Sequence, residues 1–265
     1  MLRRGRDPLA PHEGWMSEES SGLALAGFLF LVFVGFTLLA MGPLISIDAY
    51  FNLDPPPASW LPFLHVLDRI GQRAVCLPLL AVVTFLCCRR RESWRPVWVV
   101  ALSVFSLNLA VLIFKVVLGR GQPSTADPHF FIGGMAYPSG HTSNMVLVYG
   151  LCVYLLGRYR DVGAGWLRTM WALVALASVT MVATSLTLNW HWFADLVAGL
   201  LVGGLVLQLT IAVDHLVPQS VLSHGPLMTL RDLRRRVHQW RHASDDTPPA
   251  APPVVPPVRP RQDAS

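Results

Sequence analysis

The chain has 265 residues, 53% of them hydrophobic and 14% charged, with a formal net charge of +5. That balance excludes an ordinary soluble domain and places the chain among membrane proteins. The positive charge sits in arginine clusters between apolar runs, so it bears on membrane topology and does not point to a nucleic-acid partner.

Residues 1–21 read as a polar cytoplasmic segment. A membrane-crossing helix needs about 20 mostly apolar residues. Such runs occur at 22–45, 73–88, 96–118, 141–157 and 166–188, and a sixth, 190–213, begins polar and then turns apolar. The expected fold is therefore all-α: a polytopic membrane protein with six transmembrane helices bundled over 22–213. The first run is too long for a cleavable signal peptide, and no small-residue cleavage site follows it. Arg3, Arg4 and Arg6 precede span 1, and Arg89, Arg90, Arg91 and Arg95 follow span 2. Arg158, Arg160 and Arg168 follow span 4, and Arg231, Arg234, Arg235, Arg236 and Arg241 follow span 6. Six crossings put all four clusters on one side, the cytoplasm, with both termini there. The expected location is the plasma membrane, with loops 46–72, 119–140 and 189–191 facing outward.

Within loop 46–72, DPPPASW is a rigid turn and LPFLHVLDRIG has the apolar spacing of a helix lying on the outer membrane surface. Gly199 and Gly203 form a G-x-x-x-G on span 6, suited to close packing within the bundle. Cys76, Cys87, Cys88 and Cys152 lie in apolar runs and read as small hydrophobes, with neither disulfide nor zinc spacing. Segment 214–265 holds a basic amphipathic helix at 229–242, expected to contact anionic lipid, and then a proline-rich, disordered tail.

Three polar stretches fall at the outward ends of spans. The first, KVVLGRGQP (115–123), carries Lys115, the chain's only lysine against twenty arginines. A bare ammonium in lipid is costly, so it either snorkels or meets an anion. The second, YPSGHTS (137–143), opens a helix. A helix N-terminus presents free amides and a positive dipole, which suit phosphate, and Ser139 adds a hydroxyl and His141 a titratable proton. The third, NWHWFAD (189–195), places His191 and Asp195 four residues apart on one helix face. A carboxylate bonded to one imidazole nitrogen fixes the tautomer and frees the other to attack. Trp190 and Trp192 are expected in the interfacial aromatic belt. Asp68, Arg69 and His129 lie in outer loops, where solvated surface is the expected setting and substrate contact the alternative. Together these groups match what phosphoryl transfer through a phosphohistidine requires. No carboxylate cluster suited to magnesium is visible, so neither a metal nor another cofactor is expected.

With those residues in place, the chain resembles the type 2 phosphatidic acid phosphatase superfamily, which also includes vanadium haloperoxidases. The family pattern is K-x6-R-P, then P-S-G-H, then S-R-x5-H-x3-D, and the resemblance covers about 115–195. It implies His191 as nucleophile, Asp195 as its orienter and His141 as general acid, with Lys115, Ser139 and the Gly140 amide holding phosphate. Arg120 falls where many bacterial members carry an additional arginine, and the phosphate-binding set expected here is Lys115, Arg120, Gln122, Ser139 and Gly140. Two positions depart: Gln122 stands at the first motif arginine and Ser185, preceded by Thr184, at the second. The resemblance implies a lipid phosphatase acting on phosphatidate, phosphatidylglycerol phosphate or a polyprenyl phosphate or diphosphate. Losing two cations fits a singly charged diester better. A lipid phosphotransferase similar to the sphingomyelin and inositol phosphorylceramide synthases, which share S-G-H-T and H-x-x-x-D, therefore stands as the alternative. A weakened, lipid-phosphate-binding member is the third reading.

Overall fold

The computed structural model describes residues 13–218, with side chains from Ser21 onward. The amphipathic helix expected at 229–242 and the proline-rich tail lie outside the described residues. In chain order the helices are α1 (Glu13–Ala40), α2 (Ile45–Tyr50), α3 (Leu61–Arg69), α4 (Arg73–Arg91), α5 (Arg95–Leu118), α6 (Gly140–Asn144), α7 (Gly150–Tyr159), α8 (Ala164–Thr187) and α9 (Phe193–Leu216). A π turn, Met145–Tyr149, joins α6 to α7, so residues 140–159 form one continuous helical run. Among the described residues there are no strands.

Five stretches are long and apolar enough to cross a membrane: Ser21–Ala40, Ala58–Arg91, Arg95–Thr125, Ala164–Thr187 and Phe193–Leu216. The 140–159 run supplies the remaining expected span, shorter and broken by its π turn. Phe28, Leu31, Leu38, Phe105, Val116, Leu176 and Val179 are all at least 60% exposed. So much outward apolar surface suits lipid and not water, and the protein is a multi-pass membrane protein.

The ends of these helices follow from local chemistry. The first span stops at Ala40, short of the expected 45, because Gly42 and Pro43 follow and a proline has no amide to continue the ladder. Its helix also begins earlier, at Glu13. α5 ends at Gly119, which takes a left-handed conformation (φ +49°) and returns its amide to the Lys115 carbonyl at 3.0 Å. That is the ordinary glycine stop, and it turns the chain back across the end of the bundle. Arg89, Arg90 and Arg91 occupy the last turn of α4, where cations suit the negative end of a helix.

α9 is the central element, packed against α1, α5, α6, α8 and the π turn. Its Gly199 and Gly203 make the close approach their spacing suggested, within the bundle. A Cβ on Gly199 would lie 2.1 Å from Thr142 Oγ1 and 2.5 Å from the Ser139 carbonyl oxygen, and one on Gly203 would lie 2.6 Å from the Ser143 carbonyl oxygen. The core around this contact includes Phe33, Tyr137, Leu147, Leu151, Ala198 and Val202. At one end Arg95, the first residue of α5, is buried; its Nε donates to Asp214 Oδ1 at 2.7 Å, near the end of α9, and its other nitrogens reach the Pro218, Val217 and Asp214 carbonyls. Tyr154 and Tyr159 also donate to Asp214. The four cysteines are free, and Cys76, Cys87 and Cys152 are buried among apolar neighbours.

Candidate active site

At the other end of the bundle the three polar stretches meet. The end of α5, the start of α6 and the start of α9 converge there with the turn between α3 and α4. Ser139 donates its amide to the Asp195 carbonyl at 2.9 Å, and Thr142 Oγ1 donates to the Leu196 carbonyl at 3.0 Å. These bonds, with the two glycines, fix the PSGH segment directly against the HWFAD turn.

His191 and Asp195 face each other, with Nδ1 3.4 Å from Oδ2, but not along one helix face as expected: His191 precedes Trp192, the N-cap of α9, and reaches Asp195 from the turn. The same carboxylate oxygen accepts the Trp192 amide at 3.0 Å, capping α9. The imidazole is still partly open, with 14% of its side chain exposed, whereas Asp195 is fully buried. His141 stands beside this pair, 31% exposed, with its Nε2 3.7 Å from Asp68 Oδ2. His191, Lys115, Asp68 and Arg73 all lie within electrostatic reach of it.

Lys115 points inward as well as outward. Its Nζ donates to the Met135 carbonyl and, at 3.4 Å, to the Ala136 carbonyl. An ammonium has three donors, so one is left for a ligand. Ser139 is fully buried and its hydroxyl has no protein partner. Space is open beside Gly140, where nothing lies within 4 Å of a hypothetical Cβ. An unpaired buried hydroxyl and the start of a helical run are groups of the kind that receive an anion.

Arg120 does something other than expected. It is fully buried, and each of its three nitrogens is committed to the protein. Nη1 donates to Asp195 Oδ1 at 2.7 Å, Nη2 to Asp48 Oδ2, and Nε to the Pro128 carbonyl at 2.9 Å. Asp48 Oδ1 in turn accepts the Ala194 amide at 2.8 Å. Burial pushes the Asp48 carboxyl above its usual value, against the pull of the Arg120 guanidinium. The arginine thus orders the carboxylate behind His191 and is turned away from the open space. Gln122 is exposed on the surface, and its backbone carbonyl accepts the Thr125 hydroxyl at 2.7 Å. Ser185 is buried, with its hydroxyl directed at Met181 Sδ at 3.7 Å.

Two expectations need correction. Trp192 is not in an interfacial belt: it is buried, its Nε1 donates to the Gly121 carbonyl at 2.8 Å, and its ring lies 6.0 Å from the Arg120 guanidinium. An indole N–H needs an acceptor, and the loop after α5 brings one. Trp190 is 40% exposed and stacks near His65. Asp68 is not solvated surface but fully buried. Asp127, by contrast, sits at the surface, where the His129 amide and ring hold its carboxyl below the usual carboxylate range.

The residues that sequence reasoning did not place in the site are Asp48, Asp68, Gly71 and Arg73. The signal for Asp48 was present: a lone carboxylate in LISIDAYF, next to an apolar run, needs a cation. Among the described residues no group of three His, Cys, Asp or Glu side chains is gathered as metal ligands are.

Comparison with known proteins places this arrangement. Residues 96–217 match the model of the PAP2 superfamily. No curated protein sequence matches the chain. Among solved structures, the fold is similar to the first transmembrane PAP2 type phosphatidylglycerolphosphate phosphatase from Bacillus subtilis, with a TM-score of 0.62 and 20% identity. That alignment covers 74% of this chain and 98% of that one.

Proposed function

We propose, from the premise that residues 96–217 carry the PAP2 superfamily pattern, that the protein is a membrane lipid phosphatase working through a phosphohistidine. The observation that carries the reading is the His191–Asp195 pair beside His141, bordered by Lys115, the unpaired Ser139 hydroxyl and the open start of α6. The substrate's phosphate meets Lys115, Ser139 and the Gly140 amide. His191 attacks phosphorus with its free nitrogen while Asp195, bonded to the other, steadies the imidazolium that develops. The P–O ester bond breaks, and His141 gives its proton to the departing oxygen. Water then attacks the phosphohistidine, returning a proton to His141 and releasing phosphate. The candidate substrates are phosphatidate, phosphatidylglycerol phosphate and polyprenyl phosphates or diphosphates; the similar solved structure is of a phosphatidylglycerolphosphate phosphatase, which makes phosphatidylglycerol phosphate the first to assay. The arginine asymmetry supports an outward-facing site in the plasma membrane, with both termini cytoplasmic.

A second reading has its own support. Arg120 is engaged by two carboxylates, and Gln122 and Ser185 bring no charge, so the site has few cations. A diester carries one negative charge where a monoester carries nearly two, so a phosphotransferase that moves a headgroup between lipids fits the charge. The test for both is the purified protein beside its His191→Ala variant, assayed for phosphate release from lipid monoesters and headgroup release from diesters. Monoester hydrolysis lost in the variant supports the phosphatase. Headgroup transfer alone supports the second reading, and inactivity of both proteins on a broad lipid panel leaves a lipid-phosphate binder.

A further inference from the structure

We infer that Asp68 is a positioning residue for the second imidazole, orienting His141 Nε2 from 3.7 Å and favouring the protonated form from which it serves the leaving group. The inference rests on the phosphatase reading and adds to it a residue from outside the segment that matches the family, 96–217.

The geometry begins with α3. Trp60, Phe63 and Val66 are more than half exposed along one side, whereas Leu64 and Asp68 are buried on the other. The helix therefore presents an apolar side outward and carries a carboxylate inward. Asp68 Oδ2 accepts Gln72 Nε2 at 2.9 Å and lies 3.7 Å from His141 Nε2, while Oδ1 has no protein partner. A buried carboxylate is costly unless a charged donor faces it, and the His141 imidazole is the titratable group that faces its Oδ2.

The chain beyond Asp68 is pressed onto the same histidine. A Cβ on Gly71 would stand 3.4 Å from His141 Cβ and 2.7 Å from the Met181 methyl, so the backbone of this turn runs directly beside the histidine. Tyr149 OH donates to the Ile70 carbonyl at 2.8 Å, tying this turn to the helical run that bears His141. The Trp190 ring, 6.3 Å from the imidazole, covers it from the α8–α9 turn.

The groups facing His141 come from every neighbouring element: Asp68 from α3, Arg73 from α4, Lys115 from α5 and His191 from the turn before α9. Of these four, Asp68 alone is an anion. Burial first, then a second imidazole and two fixed cations, disfavour a proton on His141, and the Asp68 carboxylate is the group that opposes them. In the reaction that proton goes to the ester oxygen as the P–O bond breaks, and the proton of the attacking water restores it, so Asp68 itself is neither consumed nor covalently changed.

The test compares wild type with Asp68→Asn and Asp68→Glu in lipid nanodiscs on two monoesters. One is a lipid phosphate with an alkoxide leaving group, and the other is p-nitrophenyl phosphate, whose phenolate leaves without a proton. For Asp68→Asn, kcat/KM on the lipid is expected to fall about tenfold or more. Its alkaline limb should move about one pH unit lower, activity on p-nitrophenyl phosphate should stay near wild type, and Asp68→Glu should recover part of the loss. Equal loss on both substrates with an unmoved limb, or a raised KM alone, overturns the inference. A turnover-independent readout is the 15N titration of His141 in both proteins, which should show a lower protonation midpoint in Asp68→Asn; equal midpoints overturn the inference. Should the wild type release phosphate from no monoester, the phosphatase reading fails, and the titration still decides the role of Asp68.

Discussion

Replacing Arg120 by alanine separates two roles that the sequence cannot separate. In the structure the guanidinium is fully buried, donates to Asp48 and Asp195 and also reaches the Pro128 carbonyl. Removing it leaves two buried carboxylates facing each other with no cation between them. Breaking one buried pair costs about 3–5 kcal/mol, because the remaining charge is stranded. At about 2–4 °C per kcal/mol for a protein of this size, the apparent Tm in detergent should fall by about 6–20 °C. Double substitution with Asp48→Asn should recover part of that fall, since one stranded charge is then gone. Arg120→Lys should not substitute well, because one ammonium cannot span two carboxylates and a carbonyl as a planar fork does. The assay is a thermal-unfolding curve beside steady-state kinetics on the best lipid substrate, taken well below the lowered Tm. Unchanged Tm together with a raised KM would refute the reasoning and return Arg120 to the phosphate.

Other outcomes follow from the same geometry. Gly199→Ala places a methyl group 2.1 Å from Thr142 Oγ1, so it should displace the PSGH segment and lower both Tm and kcat. Gly204→Ala, where the nearest atom is 4.0 Å away, should change neither. Gln122→Arg restores a cation at the first motif arginine; a charge-assisted bond of about 1.5–3 kcal/mol corresponds to roughly a 10- to 100-fold gain in kcat/KM on monoesters, read by phosphate release. Arg95→Gln breaks the buried pair with Asp214 at the far end, so thermal scans should show a fall of about 3–5 kcal/mol in stability, while kcat at a temperature below both transitions should hold.

The spans were legible because lipid demands long apolar runs and arginines mark one side, and the helices lie within a few residues of the expected bounds. The errors sit where a proline or glycine set the end, as at Pro43. The His191–Asp195 pairing was legible from its spacing, but the reason differs: His191 sits in the turn before α9 and folds back onto the first turn of that helix, so the two do not share a helix face. Arg120, Trp192 and Asp68 were not legible, because each is defined by partners far away in the chain: Asp48, Gly121 and His141. Nothing in the neighbouring sequence distinguishes a solvated aspartate in a loop from one folded under a helix. Only the paucity of carboxylates in this chain, set against the cost of burying any of them, hinted that each has a partner.

The two buried arginines that bracket α5 grip the same helix near its two ends. Asp195 and Asp214 of α9 are nineteen residues apart, or about 28 Å along a helix axis, close to the roughly 30 Å depth of a bilayer's hydrocarbon. α5 and α9 thus form a calliper set to the membrane, with its jaws locked at both polar boundaries. A calliper does not breathe, so under the proposed function a lipid's chains would reach the histidines between helices that it leaves unclamped, such as α3, α4 and α8.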